Sequence, residues 1–140
     1  MKRQVILDTG PLVAFLNARD RHHQWSTSQW GQIAPPLLTC EAVLSESCFL
    51  LRGIKGGQTA VLELMKRGVL SLPFRIDDSL KEITRLLRKY SDIPMSLADA
   101  CLVRMSELFS DSPVFTLDDD FRVYRKNKSQ AVPILTPFDL

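Results

Sequence analysis

The feature that most constrains this chain is an apolar run, Val5-Ile6-Leu7, that stops abruptly on Asp8 and turns at Thr9-Gly10-Pro11. A continuous apolar segment of strand length, without polar alternation, suits a strand covered on both faces in a parallel sheet. Asp8 then stands at the carboxyl end of that strand. In open α/β sheets the loops leaving this edge splay apart, and ligands bind in the crevice between them. The carboxylate also has a structural use there. It can cap a following helix in which Pro11 takes an early position and Leu12, Val13, Phe15 and Leu16 supply the core face. Three further core-like segments carry or end on acids, and that recurrence asks for a common explanation.

Further along, Trp25 and Trp30 read as core or interface anchors, and Pro35-Pro36 leads into a short strand at Leu37-Leu38-Thr39. The spacing predicts a helix from Cys40 to Leu51 whose stripe is Val43, Leu44, Ser47, Cys48, Leu50 and Leu51. Glu41 and Glu46 lie outside opposite margins of that stripe, and periodicity does not choose between them. A turn at Gly53–Gly57 precedes a helix over Gln58–Arg67, and a strand follows at Val69–Leu72. Asp77, or Ser79 with Glu82 three residues on, offers the cap for a helix running to Tyr90. Its basic residues Lys81, Arg85, Arg88 and Lys89 read most simply as a solvated face, the alternative being part of a phosphate-binding rim. After Pro94, the residues from Leu97 to Phe109 are apolar around most of a helical circumference, so this helix is buried. Asp99 falls in its first turn, where Ser96 and Asp99 match a capping box and the helix dipole favours an acid. Val103, one turn along the same side, encloses Asp99, and an enclosed carboxylate is costly unless donors or a cation satisfy it. A strand at Val114-Phe115-Thr116 runs into Asp118-Asp119-Asp120, which can also form a simple turn. Val132–Leu135 suits an edge strand.

The 140 residues suit one domain spanning 1–140, 45% hydrophobic and 24% charged, with a core that needs no disulfide or structural metal. A formal charge of +2 permits a nucleic-acid partner without demanding one. Cys40, Cys48 and Cys101 form no C-x-x-C pair and sit in apolar helical patterns, as buried thiols in a reducing compartment do. No apolar run is long enough for a signal peptide or membrane span, so the expected location is cytoplasmic, with no membrane contact. His22 and His23 share one loop, which leaves no Ser-His-Asp set. The glycine turn lacks the G-K-[ST] ending of a phosphate loop.

If the strands are parallel with helical crossovers, Asp8 and Asp118 emerge at one sheet edge, where acids of the two helices can join them. Like charges so close raise each other's pKa, or else hold a hard divalent cation. Magnesium or manganese takes carboxylate oxygens, polarises a water and neutralises phosphate charge, which points to phosphodiester hydrolysis.

Leu7-Asp8-Thr9, Val43-Leu44-Ser45-Glu46, Leu97-Ala98-Asp99-Ala100 and Phe115-Thr116-Leu117-Asp118-Asp119-Asp120-Phe121 together resemble a PIN-domain protein, with the strongest likeness to VapC-type toxins. The resemblance spans almost the whole chain and keeps the motifs in order. It implies a three-layer α/β/α fold with a central parallel sheet and a metal site of Asp8, Glu46, Asp99 and Asp118. Glu46 is thereby favoured over Glu41. Thr9 and Thr116 resemble the hydroxyl residues that assist such a metal, and Asp120 an additional acid. The implied activity is Mg²⁺- or Mn²⁺-dependent endoribonuclease cleavage leaving a 5′-phosphate and 3′-hydroxyl. The implied partners are a structured RNA such as transfer or ribosomal RNA, a small antitoxin, and a second copy in a homodimer. Arg19, Arg21, Arg52, Lys55, Arg122 and Arg125 are candidates for RNA-backbone contacts. Two rivals stand beside this. A receiver-type phosphotransfer domain would need a second acid at Gly10, and a catalytically silent PIN-like module binding RNA or protein would use its acids only as caps.

Overall fold

The computed structural model describes residues 3–138. In chain order its elements are β1 (Ile6–Leu7), α1 (Thr9–Leu16), α2 (His23–Trp30), β2 (Leu37–Leu38), α3 (Glu41–Leu50), α4 (Gly57–Lys66), β3 (Leu70–Ser71), α5 (Leu80–Lys89), α6 (Leu97–Leu108), β4 (Val114–Phe115), β5 (Arg125–Lys126), β6 (Gln130–Ala131) and β7 (Ile134–Leu135). Turns of 3₁₀ helix occupy Ile76–Asp78 and Asp119–Arg122. Five strands form one sheet in the order β3-β2-β1-β4-β7, every neighbouring pair parallel. The opening strand is therefore central, with Val5, Ile6 and Leu7 fully buried as its unbroken apolarity predicts. Helices flank the sheet, giving the expected α/β class with an α/β/α arrangement. Helices α1 to α4 pack on one another and α5 packs on α6, and right-handed crossovers, the rule for parallel strands, assign the two groups to opposite faces.

Register fixes what meets at the carboxyl edge. Ile6 pairs with Val114 and Leu7 with Phe115, so Asp8 and Thr116 leave the sheet side by side. Phe115 receives the edges of both Trp25 and Trp30, at 5.6 and 6.1 Å between ring centroids. The two Trp are core anchors. The buried helix is α6, where every residue from Ala98 to Val103 is enclosed. The tail strand β7 takes the sheet's edge, as expected.

Asp8 caps α1, and Pro11 takes the early position expected of it, third in the helix. Several other local readings need correction. Cys40 is the N-cap of α3 rather than a helical residue, and Cys48 is only partly buried. Leu50 is 50% exposed, outside the stripe predicted for it. Ser79 occupies the cap position of α5 without capping it, since its hydroxyl accepts from Arg104 Nε at 3.0 Å. Arg104 also lies 3.5 Å from Glu82 and 3.0 Å from Glu107, so a half-buried guanidinium takes the acceptors that a capping box would have used. The antiparallel hairpin β5–β6 has no counterpart among the predicted elements. Among the described residues no helix is long and apolar enough to cross a membrane.

Candidate active site

Asp8 is held by both oxygens. Oδ1 accepts from the Thr9 amide at 2.7 Å and Oδ2 from the Thr116 hydroxyl at 2.7 Å, while its own amide donates to the Phe115 carbonyl across the sheet. The Thr116 oxygen in turn accepts from the Asp118 amide at 2.9 Å. One hydroxyl thus sets the carboxylate of β1 against the loop that follows β4. Asp118 caps the 3₁₀ turn after it, its Oδ1 accepting from the Asp120 amide at 2.9 Å.

Asp99 completes the capping box that the sequence predicts. Its Oδ2 accepts from the Ser96 amide at 3.3 Å, and its amide donates to Ser96 Oγ at 3.0 Å. The same Oδ2 accepts a third bond, from the Tyr124 hydroxyl at 3.0 Å. Burial and the Asp99 charge push the Tyr124 phenol up, so it keeps its proton and remains a donor. Tyr124 is the site residue that sequence reasoning misses. Its ring is wedged between Tyr90 and Phe121, at 5.1 and 5.3 Å between centroids, and only that packing aims its hydroxyl.

Glu46 completes the set from the second turn of α3. It lies with Asp8, Asp99 and Asp118 around one pocket of about 210 Å³, walled by Thr9, Gly10, Leu50 and Leu117. Glu41 faces a different cavity, beside Cys40, Phe74 and Arg75. Unlike the other three acids, Glu46 has no hydrogen-bond or ion-pair partner among the described residues, and it is largely exposed. Among the described residues no Lys or Arg lines the pocket. Burial pushes the Asp8 carboxyl up to about 7, against its two hydrogen bonds and with added push from Asp99 and Asp118. Burial raises Asp99, and partial desolvation with the charges of Asp99 and Asp118 raises Glu46.

The donor set fits a hard divalent cation. It offers carboxylate oxygens from four segments, and the Thr9 hydroxyl on the same wall is buried with no hydrogen-bond partner. Among the described residues, no three Asp, Glu, His or Cys side chains are already drawn around one point closely enough to form a ready metal cluster. Three of the four acids are instead turned onto the protein's own donors.

Other predicted residues fall elsewhere. Asp120 serves the site through its amide, and its carboxyl, raised by burial and by Asp118 and Asp119, is not part of the pocket wall. Arg122 pairs with Asp119 and donates to the Phe138 carbonyl, and Arg125 donates to the carbonyls of Arg122 and Tyr124. Arg122 thereby braces the tail, and Arg125 the turn from Arg122 to Tyr124. Arg52 lies over the Phe49 ring at 3.8 Å, while Arg19, Arg21 and Lys55 are exposed. His23 Nδ1 sits 2.7 Å from the Ala14 carbonyl, away from the acids.

An acid-lined pocket at the carboxyl edge of a five-stranded parallel sheet defines the class of protein, and the sequence agrees. The profile of the PIN domain family matches residues 5–127, and the chain belongs to that family. Among solved structures it is similar to Mycobacterium tuberculosis VapC20, described as a sarcin–ricin loop cleaving toxin. The TM-score is 0.76, with 21% identity over 85% of this chain and 93% of that one. At that identity the likeness bears on the fold. Curated protein sequences give no match.

Proposed function

We propose that residues 1–140 form one PIN domain acting as a Mg²⁺- or Mn²⁺-dependent endoribonuclease, the toxin of a type II toxin–antitoxin pair. The observation that carries this reading is the convergence of Asp8, Glu46, Asp99 and Asp118 on one pocket free of basic residues. Membership of the PIN family and the fold shared with a toxin that cleaves the sarcin–ricin loop support it. A structured RNA is accordingly the substrate class. Phe49 and Leu50, 60% and 50% exposed beside Glu46, offer an apolar contact for a small inhibitory partner, and the protein is read as a homodimer.

When bound, a divalent cation supplies a polarised water and neutralises charge on the phosphate. The chain's own residues do the rest. Asp8, Asp99, Glu46 and Asp118 provide the oxygens that hold it. Thr116 fixes the rotamer of Asp8, and Ser96 with Tyr124 fixes that of Asp99, so two of these acids are placed before any ligand arrives. Leu50 and Leu117 narrow the pocket around the reacting phosphate.

A second reading has a specific observation behind it: Asp8, Asp99 and Asp118 all cap helical turns, as the acids of a silent binding module would. Glu46, which caps nothing, separates the two. Thermal unfolding of wild type and Asp8→Asn, each in EDTA and in saturating Mn²⁺, tests the proposal without a known substrate. A cation at about a hundred times its dissociation constant adds about 2.7 kcal/mol, and only wild type should gain it. If Mn²⁺ leaves both proteins unchanged, the acids are caps and the silent module stands.

A further inference from the structure

We infer that the groove between α5 and the β5–β6 turn is a docking track for the RNA backbone, separate from the acid pocket. The inference rests on the nuclease reading and says where such a substrate is held. Among the described residues the acid pocket offers no Lys or Arg to grip the flanking phosphates, so the rest of the RNA backbone must be gripped elsewhere. The formal charge of the chain is +2 even with those four acids counted, which leaves an excess of six positive charges on the rest of it.

Half of that excess lies on α5, which carries Lys81, Arg85, Arg88 and Lys89 against Glu82 alone. The helix buries Ile83 and Leu86 and turns Lys81, Arg85 and Arg88 outward. With Lys128 from the hairpin turn they line a groove of about 770 Å³, against about 210 Å³ for the acid pocket. Lys81, Arg88 and Lys128 are exposed and form no ion pair among the described residues. Arg85 stands 3.9 Å from Glu107, and Glu82, the one acid on the wall, is engaged by Arg104. Lys89 Nζ donates to the Lys128 carbonyl at 2.7 Å and ties the turn to the helix, so the cations keep their spacing. Leu80, 57% exposed on the same wall, gives a ribose or base an apolar surface. The helix that carries the groove is also tied to the chemistry at its far end, where Tyr90 packs on Tyr124, whose hydroxyl holds Asp99.

The test is fluorescence anisotropy of a short fluorescein-labelled RNA hairpin with the intact chain in EDTA, over a range of salt. The comparison is with the triple variant Lys81→Gln, Arg88→Gln, Lys128→Gln. Each phosphate contact contributes about 0.7 to 0.9 to the slope of log K against log salt, so losing three should flatten it by about 2 to 3. Affinity at low salt should fall by about tenfold or more. The stabilisation by Mn²⁺ should be unchanged, which separates this proposal from that for the metal site. Equal affinity and slope in both proteins would overturn it, as would a variant that loses polyglutamate binding but keeps RNA, since the surface would then suit an acidic protein. A wild type that responds to Mn²⁺ but ignores the hairpin would refute the track alone.

Discussion

Asp8→Asn should make the metal-free protein more stable near pH 8 and leave it nearly unchanged near pH 5. Burial lifts the Asp8 carboxyl from its ordinary 3.8 to about 7. An acid whose pKa is higher folded than unfolded keeps a proton in the fold that the unfolded chain gives up. Its contribution to stability therefore falls as pH rises from about 4 to about 7, and the full penalty stands above that. Three units at about 1.4 kcal/mol each make this about 4 kcal/mol at pH 8. Asparagine keeps the oxygen that caps the Thr9 amide but presents an NH₂ group to Thr116. That hydroxyl already accepts from the Asp118 amide, so it loses its donated bond at a cost of about 1 kcal/mol. The net gain is about 3 kcal/mol near pH 8 and under about 1 kcal/mol near pH 5. Urea unfolding in EDTA, followed by the fluorescence of Trp25 and Trp30 against Phe115, reads both values. A variant less stable than wild type by the same amount at both pH values would refute the reasoning, because Asp8 would then be ionised and wholly satisfied by its two bonds.

Glu46→Gln removes the one acid of the pocket with no hydrogen-bond or ion-pair partner among the described residues, so stability should stay within about 0.5 kcal/mol while Mn²⁺ stabilisation and RNA cleavage fall sharply. Tyr124→Phe deletes the third bond to Asp99, and cleavage should drop about 10- to 100-fold, with about 1 kcal/mol lost in thermal unfolding. In Gly10→Ala the new methyl would meet Leu117 Cβ at 3.1 Å and displace the segment leading to Asp118. Cleavage should suffer more than the melting temperature, since alanine in α1 recovers up to about 1 kcal/mol of helix propensity.

What the sequence reveals of the site is what depends on short-range pattern. An apolar run ending on Asp8 and another near Asp118 suffice to place both at one sheet edge, because parallel strands share a direction. The capping box at Ser96 and Asp99 is local and readable. Glu41 and Glu46 are not separable on a wheel, since both flank the same stripe and only the packing of α3 decides which faces the pocket. Tyr124 is invisible for a stronger reason. Its hydroxyl reaches Asp99 across 25 positions, through a 3₁₀ turn and two ring contacts that no periodicity encodes. The hairpin β5–β6 escapes because its turn puts Asn127 and Lys128 at φ 48° and 74°, without the glycine that usually signals such a turn. Arg122 and Arg125 mislead because charge alone does not say whether a guanidinium meets solvent or the chain's own carbonyls.

The Thr116 hydroxyl joins residues 108 positions apart, giving a proton to Asp8 and taking one from the Asp118 amide. It can do so only once β4 has docked beside β1, with β2, β3 and α1 to α6 between them in the chain. A half-made or locally unfolded copy therefore holds its acids apart. Under the proposed nuclease function that topology is a safety catch: cleaving competence depends on the β1–β4 pair and departs when that pair opens.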